Sequence, residues 1–521
     1  MAQHRLQTPD EYAIASTRMD ADEDTRLLTP AQPSISQPSR NGAVSVHDET
    51  QPQYATSKLR WIVLASAAAL NFSSAVNWVT FVSIADHTQS FYNVRSSQVN
   101  ELSSVYMAAS LITGLGWAWL MDTKGVGIAL WMGVILNCTG STLRFASTLK
   151  PTLDMNGVEH GHFNLVLAGQ ILCALANPIG LYSPAKVADV WFPQERRTLA
   201  NMICSMANPV GLAVGMVLPS NIVVSLGDME SYNSSFRTLL LVLTGVGSIS
   251  FVLTLFIWKN RPDIPPSPSG DAKRNVKVAF RQGIAQLFRN KTFLFMMAMW
   301  SVSIGNFNVF ITLIQQMLCP YGYSDKFTGW CGAAMSLTGL VGAAIMSIYL
   351  DRTKKFVSTL KFCYVFALLS MTGYIMVSIH PHMNVPVVGF LSMFGFFGYG
   401  LLPIFMELAM EVTYPINTGV SAAILWMCGQ LMGFILVVVS QLPVFQRDLS
   451  AEQLRISKCS VTKEHTPHDP VYGVLFSACL ASIMTCIFIL KFKASYRRLY
   501  IEKHGTLKNA DGSDAILEKH Y

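Results

Sequence analysis

Apolar runs of about twenty residues follow one another along most of this chain, separated by short polar stretches. A helix needs roughly 20 residues to cross about 30 Å of hydrocarbon, so each run has the length of a membrane span. Composition agrees: 51% of the 521 residues are apolar and 13% are charged, too little charge to cover a soluble protein of this size. Spans are expected near 60–85, 99–120, 126–148, 163–191, 198–224 and 236–258, then near 292–317, 327–350, 356–379, 384–412, 418–441 and 471–491. The expected fold class is all-α integral membrane, with twelve transmembrane helices.

The first 57 residues are polar and contain no apolar segment of the kind a cleaved signal requires, so they read as a disordered cytoplasmic tail. Eight Lys or Arg fall between Lys259 and Lys291, whereas none falls between Asn221 and Phe236. The net charge of +7 therefore orients the chain in a bilayer, both termini cytoplasmic, and does not make a nucleic-acid surface. Within the basic stretch, V-K-V-A-F-R-Q-G-I-A-Q-L-F-R is expected to lie as a helix on the cytoplasmic bilayer surface, its bases toward anionic lipid headgroups. The sequon at Asn233 then falls in an outward loop, where glycosylation occurs. Seven of the ten cysteines lie inside apolar segments and read as packed thiols. Cys319, Cys331 and Cys459 fall at or in outward loops, which leaves room for one disulfide whose pairing the sequence does not decide.

The chain repeats itself. W-L-M-D-T-K-G follows the second span and I-Y-L-D-R-T-K-K the eighth, which places Asp122 and Asp351 229 residues apart. D-V-W-F-P, from Asp189, follows the fourth span and E-V-T-Y-P, from Glu411, the tenth. Both pairs relate helices of the same orientation, so the repeat is parallel. Two six-helix bundles about an axis along the membrane normal follow, the architecture of major facilitator transporters. The expected domains are a tail at 1–57, a bundle at 58–258, a linker at 259–291, a second bundle at 292–495 and a tail at 496–521.

The D-T-K-G and D-R-T-K-K junctions resemble the loop signature of the major facilitator superfamily. L-N-F-S-S-A-V-N-W, G-Q-I-L-C-A-L-A-N from Gly169, S-P-A-K-V-A-D-V-W-F-P from Ser183 and M-E-L-A-M-E-V-T-Y-P from Met406 resemble solute carrier family 49. In the choline-transporting members, the tryptophan matched by Trp78 faces the substrate. Their helix-seven tyrosine is matched by Asn308, their helix-four glutamine by Asn177, and their helix-eleven glutamine by Gln430. The resemblance thus implies a central site of Asn77, Trp78, Asn177, Asn308 and Gln430 for a small organic solute, choline- or ethanolamine-like, or for haem. An indole face attracts a quaternary ammonium. The amides serve equally well as hydrogen bonds between helices.

Charges from both halves gather at the cytoplasmic ends: Asp122, Lys186, Asp189, Arg196, Arg197, Asp351, Arg352, Glu407 and Glu411. They read either as markers of the membrane boundary or as an inner gate of exchanging ion pairs. Glu407 is the expected buried carboxylate. Arg144, near the outer end of the third span, is expected to snorkel outward or to meet an anionic substrate group. Asn177-Pro178, Asn208-Pro209, Gly305, Gly395, Gly398 and Gly400 mark kinks or close helix approaches. In the tail, Glu23, Leu27 and Leu28 fit the acidic dileucine pattern that clathrin adaptors read as a sorting signal, so the expected location is the plasma membrane or an endosomal or lysosomal membrane.

No phosphate loop, H-E-x-x-H pair or nucleophile elbow is present, and neither a cofactor nor a metal is expected. The expected function is solute transport by alternating access, by a monomer. The alternative is a receptor or nutrient sensor that keeps the transporter fold.

Overall fold

The computed structural model describes residues 57–149, 152–153, 159–223, 229–262, 280–413, 418–459 and 468–494. The dileucine stretch, residues 1–56 of the first expected tail and the whole of the second lie outside them. Backbone groups in lipid find no water, so each span satisfies them internally as a helix. Among the described residues, twelve helices are long and apolar enough to cross a membrane.

In chain order the first half comprises α1 (Leu59–Val79), the short α2 (Ala85–Tyr92), α3 (Ser96–Thr123), α4 (Val126–Ala146), α5 (Phe163–Trp191), α6 (Gln194–Ile222) and α7 (Met229–Leu255). Strands β1 (Thr152–Leu153) and β2 (Glu159–His160) form a small antiparallel pair between α4 and α5. The linker helix α8 (Phe280–Arg289) leads to α9 (Lys291–Leu318), α10 (Asp325–Thr353), α11 (Phe356–Ser378), α12 (Asn384–Thr413) and α13 (Thr418–Ser440). Strand β3 (Arg447–Asp448), α14 (Ala451–Ile456), β4 (His468–Asp469) and α15 (Val471–Lys491) complete the described chain. The spans alternate in direction. The face that carries Ser57 and the α3–α4 turn is called here the terminal face, and the opposite one the far face.

Within the first half α1 packs against α5, α6 and α7, and α4 packs against α5 and α7. Within the second, α10 and α11 pack against α12, and α9 against α13 and α15. The halves meet where α6 lies on α10 and α3 on α13. The repeat seen in the sequence recurs in the backbone. Gly125 (φ 101°) and Lys354 (φ 53°), each three residues after its repeat aspartate, both turn the chain with positive φ.

Three expectations change. The first span is not continuous to 85: α1 ends at Val79, and residues 80–84 turn into α2. Trp78 is thus in the last turn of α1, toward the far face, and not at mid-helix. The linker helix does not give its whole apolar face to lipid, because Leu287 is fully buried among Phe293, Met296 and Phe405 of the second half. The Asn233 sequon lies in the second turn of α7 and not in a loop, a conformation that holds the acceptor asparagine partly buried.

The far face is fastened in two ways. Cys319 and Cys459 form a disulfide 140 residues apart in sequence, while Cys331, expected at a loop, is a buried thiol inside α10. Tyr321 donates to Asp469 Oδ2 at 2.7 Å and the Val471 N–H to Oδ1 at 3.1 Å. Burial pushes the Asp469 carboxyl above the usual carboxylate range, and these two donors pull it back in part. A loop of that length costs a free chain about 5 kcal/mol to close, and spans held in a bilayer lose less. Cys319→Ser with Cys459→Ser is therefore expected to cost about 2–4 kcal/mol, read as a lower melting temperature of the detergent-purified protein, and to leave assembly of the twelve spans intact.

Candidate functional site

The far third of the first half holds a buried polar network built on α1. Arg144 of α4 donates from Nη1 to Asn77 Oδ1 at 2.6 Å. Asn77 Nδ2 donates to Asn137 Oδ1 at 3.2 Å and to Ser141 Oγ at 3.0 Å. Asn137 in turn donates to Ser73 Oγ at 2.9 Å, and Gln170 Nε2 spans the Asn77 and Leu102 carbonyls at 3.1 and 2.9 Å. Buried polar groups need such partners, and these stitch α1, α3, α4 and α5 together. Asn77 is therefore committed to its neighbours, although the sequence suggests a solute-facing amide. Arg144 does not snorkel: it is 1% exposed, with its guanidinium 5.0 Å from the Phe81 ring centre.

Trp78, the next residue on the helix, points the other way. It is 8% exposed and belongs to a continuous hydrophobic cluster that spans both halves and also holds Val309, Phe310 and Leu313 of α9. Tyr106 of α3 stacks beside it, ring centres 6.4 Å apart and planes 30° apart. The Trp78 indole N–H is buried without a hydrogen-bond partner, and the Tyr106 hydroxyl lies beside the Cys173 thiol. In the second half, Asn308 Nδ2 donates to Gln430 Oε1 at 3.1 Å, joining α9 to α13. Asn177 accepts from Ser74 Oγ at 3.0 Å, one helical turn from Trp78 toward the terminal face. The five expected residues thus fall into three groups: a sealed Asn77, an Asn308–Gln430 amide pair, and Trp78 and Asn177 along one side of α1.

The halves are latched on the far face. Asn100 of α3 and Gln316 of α9 exchange two amide hydrogen bonds, 3.2 Å and 2.7 Å. His87 Nε2 of α2 lies 3.2 Å from Asp325 Oδ2 of α10, and Gln315 donates to the other oxygen at 3.1 Å. Contacts between halves continue inward to Gly114 of α3, whose position abuts Met427 of α13.

On the terminal face, Lys186 of α5 pairs with Asp122 of α3, an ion pair within the first half and not across the two. Glu411 is buried at 4% exposure, while Glu407, the expected buried acid, is exposed. The two are four residues apart and lie on nearly the same helix face, so the packing around each decides which is buried. Arg196 and Arg352 are exposed, Asp189 is partly buried, and the side chains of Arg197 and Asp351 lie outside the described residues.

This bundle geometry has counterparts. The Major Facilitator Superfamily model matches residues 65–437. Solute carrier family 49 member A3 of Xenopus tropicalis is 33% identical over 480 residues, covering 92% of this chain and 96% of that protein. The chain belongs to the major facilitator superfamily, within solute carrier family 49. The Danio rerio member A3 is 32% identical over 90% of this chain and 94% of its own, and a choline/ethanolamine transporter of Danio rerio is 27% identical over 75% and 79%. Among solved structures, a bacterial homologue of the lysosomal transporter Spinster, inward-facing and unoccupied, superposes with a TM-score of 0.60 at 12% identity, covering 86% of this chain and 99% of its own. A D-xylose–proton symporter gives 0.60 at 12%, over 84% and 98%. These two show the fold.

As a member of family 49 the protein is a multi-pass membrane transporter of the major facilitator type. Tyr106, Asn100 and Gln316 did not emerge from the sequence. A helical-wheel count from Trp78 would not find them, because each matters through the neighbouring helix it meets.

Proposed function

We propose that this transporter moves a small polar amine, of the choline and ethanolamine class carried by its relatives, through a site between the halves beside Trp78. The observation that carries this reading is the buried Trp78, stacked on Tyr106 within a hydrophobic cluster that spans both halves, with its N–H unpaired. It is supported by the polar pair Asn308–Gln430 on the opposing half. Asn77 serves as scaffold for the site and Asn177 as a polar group on the path toward the terminal face.

The far-face latch favours a state open toward the terminal face. With both termini cytoplasmic, as the basic flanks favour, that state is inward-facing. Opening outward would part Asn100 from Gln316 and bring together charges of the terminal face: Asp122, Lys186, Asp189, Arg196 and Arg197 from the first half, Asp351, Arg352, Glu407 and Glu411 from the second. Working as a monomer, the protein would reach endosomal membranes through Glu23, Leu27 and Leu28.

Uptake of labelled choline and ethanolamine into proteoliposomes tests the class. A desolvated cation–π contact is worth about 2 kcal/mol, so Trp78→Ala is expected to lower uptake about thirtyfold at low solute concentration. Absence of uptake of both amines by reconstituted wild type would reject the amine class.

A further inference from the structure

His87 of α2 and Asp325 of α10 pair across the halves on the far face, and the hydrogen bonds around the imidazole select one protonation state. Nε2 lies 3.2 Å from Asp325 Oδ2, while Gln315 donates to Oδ1 at 3.1 Å and holds the carboxylate in place. Nδ1 lies 3.3 Å from the Tyr232 hydroxyl. That hydroxyl has one proton, which it donates to the His87 carbonyl at 2.8 Å, so it turns a lone pair toward Nδ1. Both ring nitrogens therefore face acceptors. A neutral imidazole carries one N–H, and only the imidazolium donates to both. The neighbouring charges agree in sign: Asp86, buried on the same helix, acts with Asp325 on the Tyr232 hydroxyl. The cations of the adjoining elements, Arg95 of α3, Arg237 of α7, Lys326 of α10 and Lys458 beside the disulfide, are all exposed, as is Glu101 of α3. At the other end of α2, β2 joins through Gly161 and Phe91 and brings the partly buried His160, and Arg144 of α4 acts on Tyr92.

We infer that His87 is a proton-operated lock on the far face: protonated, it holds the halves together on that side, and deprotonated, it lets them part. Tyr232 belongs to the same half as His87 and Asp325 to the other. Parting the halves therefore removes the carboxylate and leaves the imidazole with the Tyr232 oxygen alone. The closed far face thus holds the proton more tightly than the open one, and by linkage protonation favours closure by the same factor. Histidine is the side chain whose charge ordinarily changes between pH 5 and 8. Acid on the far side keeps the far face shut, and the hold is lost as the far-side pH rises and the proton leaves. The proton enters from the far-side solution and returns to it, so the lock governs opening and carries no proton across the membrane.

The test is a distance measured across the far face of the purified full-length protein. Spin labels go on Ser97→Cys of α3 and Val385→Cys of α12, both exposed at that face, with the exposed Cys479 and Cys486 changed to serine. No solute is added, so the outcome does not depend on the amine reading. Between pH 8 and pH 5.5 the ratio of far-closed to far-open protein is expected to rise about fivefold. His87→Gln should hold that ratio constant over the same range. Asp325→Asn leaves the histidine but removes its carboxylate and should cut the response to less than about twofold, which keeps the test available if the glutamine variant does not fold. A far face that does not close on acidification, or a full response in either variant, would overturn the inference.

Discussion

Asn77→Leu is expected to be among the most damaging single substitutions in the membrane region, lowering stability by about 3–5 kcal/mol. The leucine removes the amide oxygen that accepts from Arg144 and the donor that serves Asn137 and Ser141. The side-chain volume is roughly kept, so the cost is electrostatic: a buried guanidinium that has lost its amide acceptor. In detergent this should appear as a melting temperature about 5–10 °C lower. The same reasoning makes the double variant informative. Arg144→Met removes the stranded charge, so Asn77→Leu with Arg144→Met should recover most of the loss. A double variant as unstable as the sum of the two singles would show that Asn77 acts by shape alone.

Gly395→Val is the second large effect. A Cβ at Gly395 would stand 2.0 Å from the Met335 carbonyl oxygen on the facing helix, and one at Gly342 would stand 2.0 Å from the Phe396 carbonyl oxygen. Two glycines thus let α10 and α12 approach backbone to backbone, the device by which small residues join helices in lipid. The obstacle is main chain, which cannot rotate aside, so the helices must separate along their length. The expected cost is about 3 kcal/mol or more, with poor recovery of monodisperse protein. Gly398 is three residues away with nothing within 4 Å of its would-be Cβ, and Gly398→Ala should be neutral or stabilise by up to about 1 kcal/mol. Equal effects at the two positions would refute the close-packing account.

These two cases mark where sequence reading stops. The twelve spans were legible because hydropathy over twenty residues needs no knowledge of neighbours. The repeat was legible because Asp122 and Asp351 stand before turns that require positive φ at Gly125 and Lys354. That Gly395 is crowded and Gly398 open depends on the helix opposite, which no local pattern contains. The break after Val79 was hidden because residues 79–84, V-T-F-V-S-I, stay apolar enough to extend the run. Glu407 and Glu411 are one turn apart with equal propensities, and only the packing of α12 turns Glu411 inward. For the site, the sequence named Trp78, Asn308 and Gln430 by resemblance and left Tyr106 out, because its role comes from stacking across two helices. The pairing of Cys319 with Cys459 likewise required the far loop to be in place.

The far-face latch permits the most direct test of transport by alternating access. With cysteines at Asn100 and Gln316, a short thiol cross-linker should join α3 to α9 and hold the far face shut. Uptake into proteoliposomes should fall to background on cross-linking and return on mild reduction, while wild type treated in parallel is unaffected. Undiminished uptake by fully cross-linked protein would contradict the account, because solute would then be crossing without the halves parting at Asn100 and Gln316.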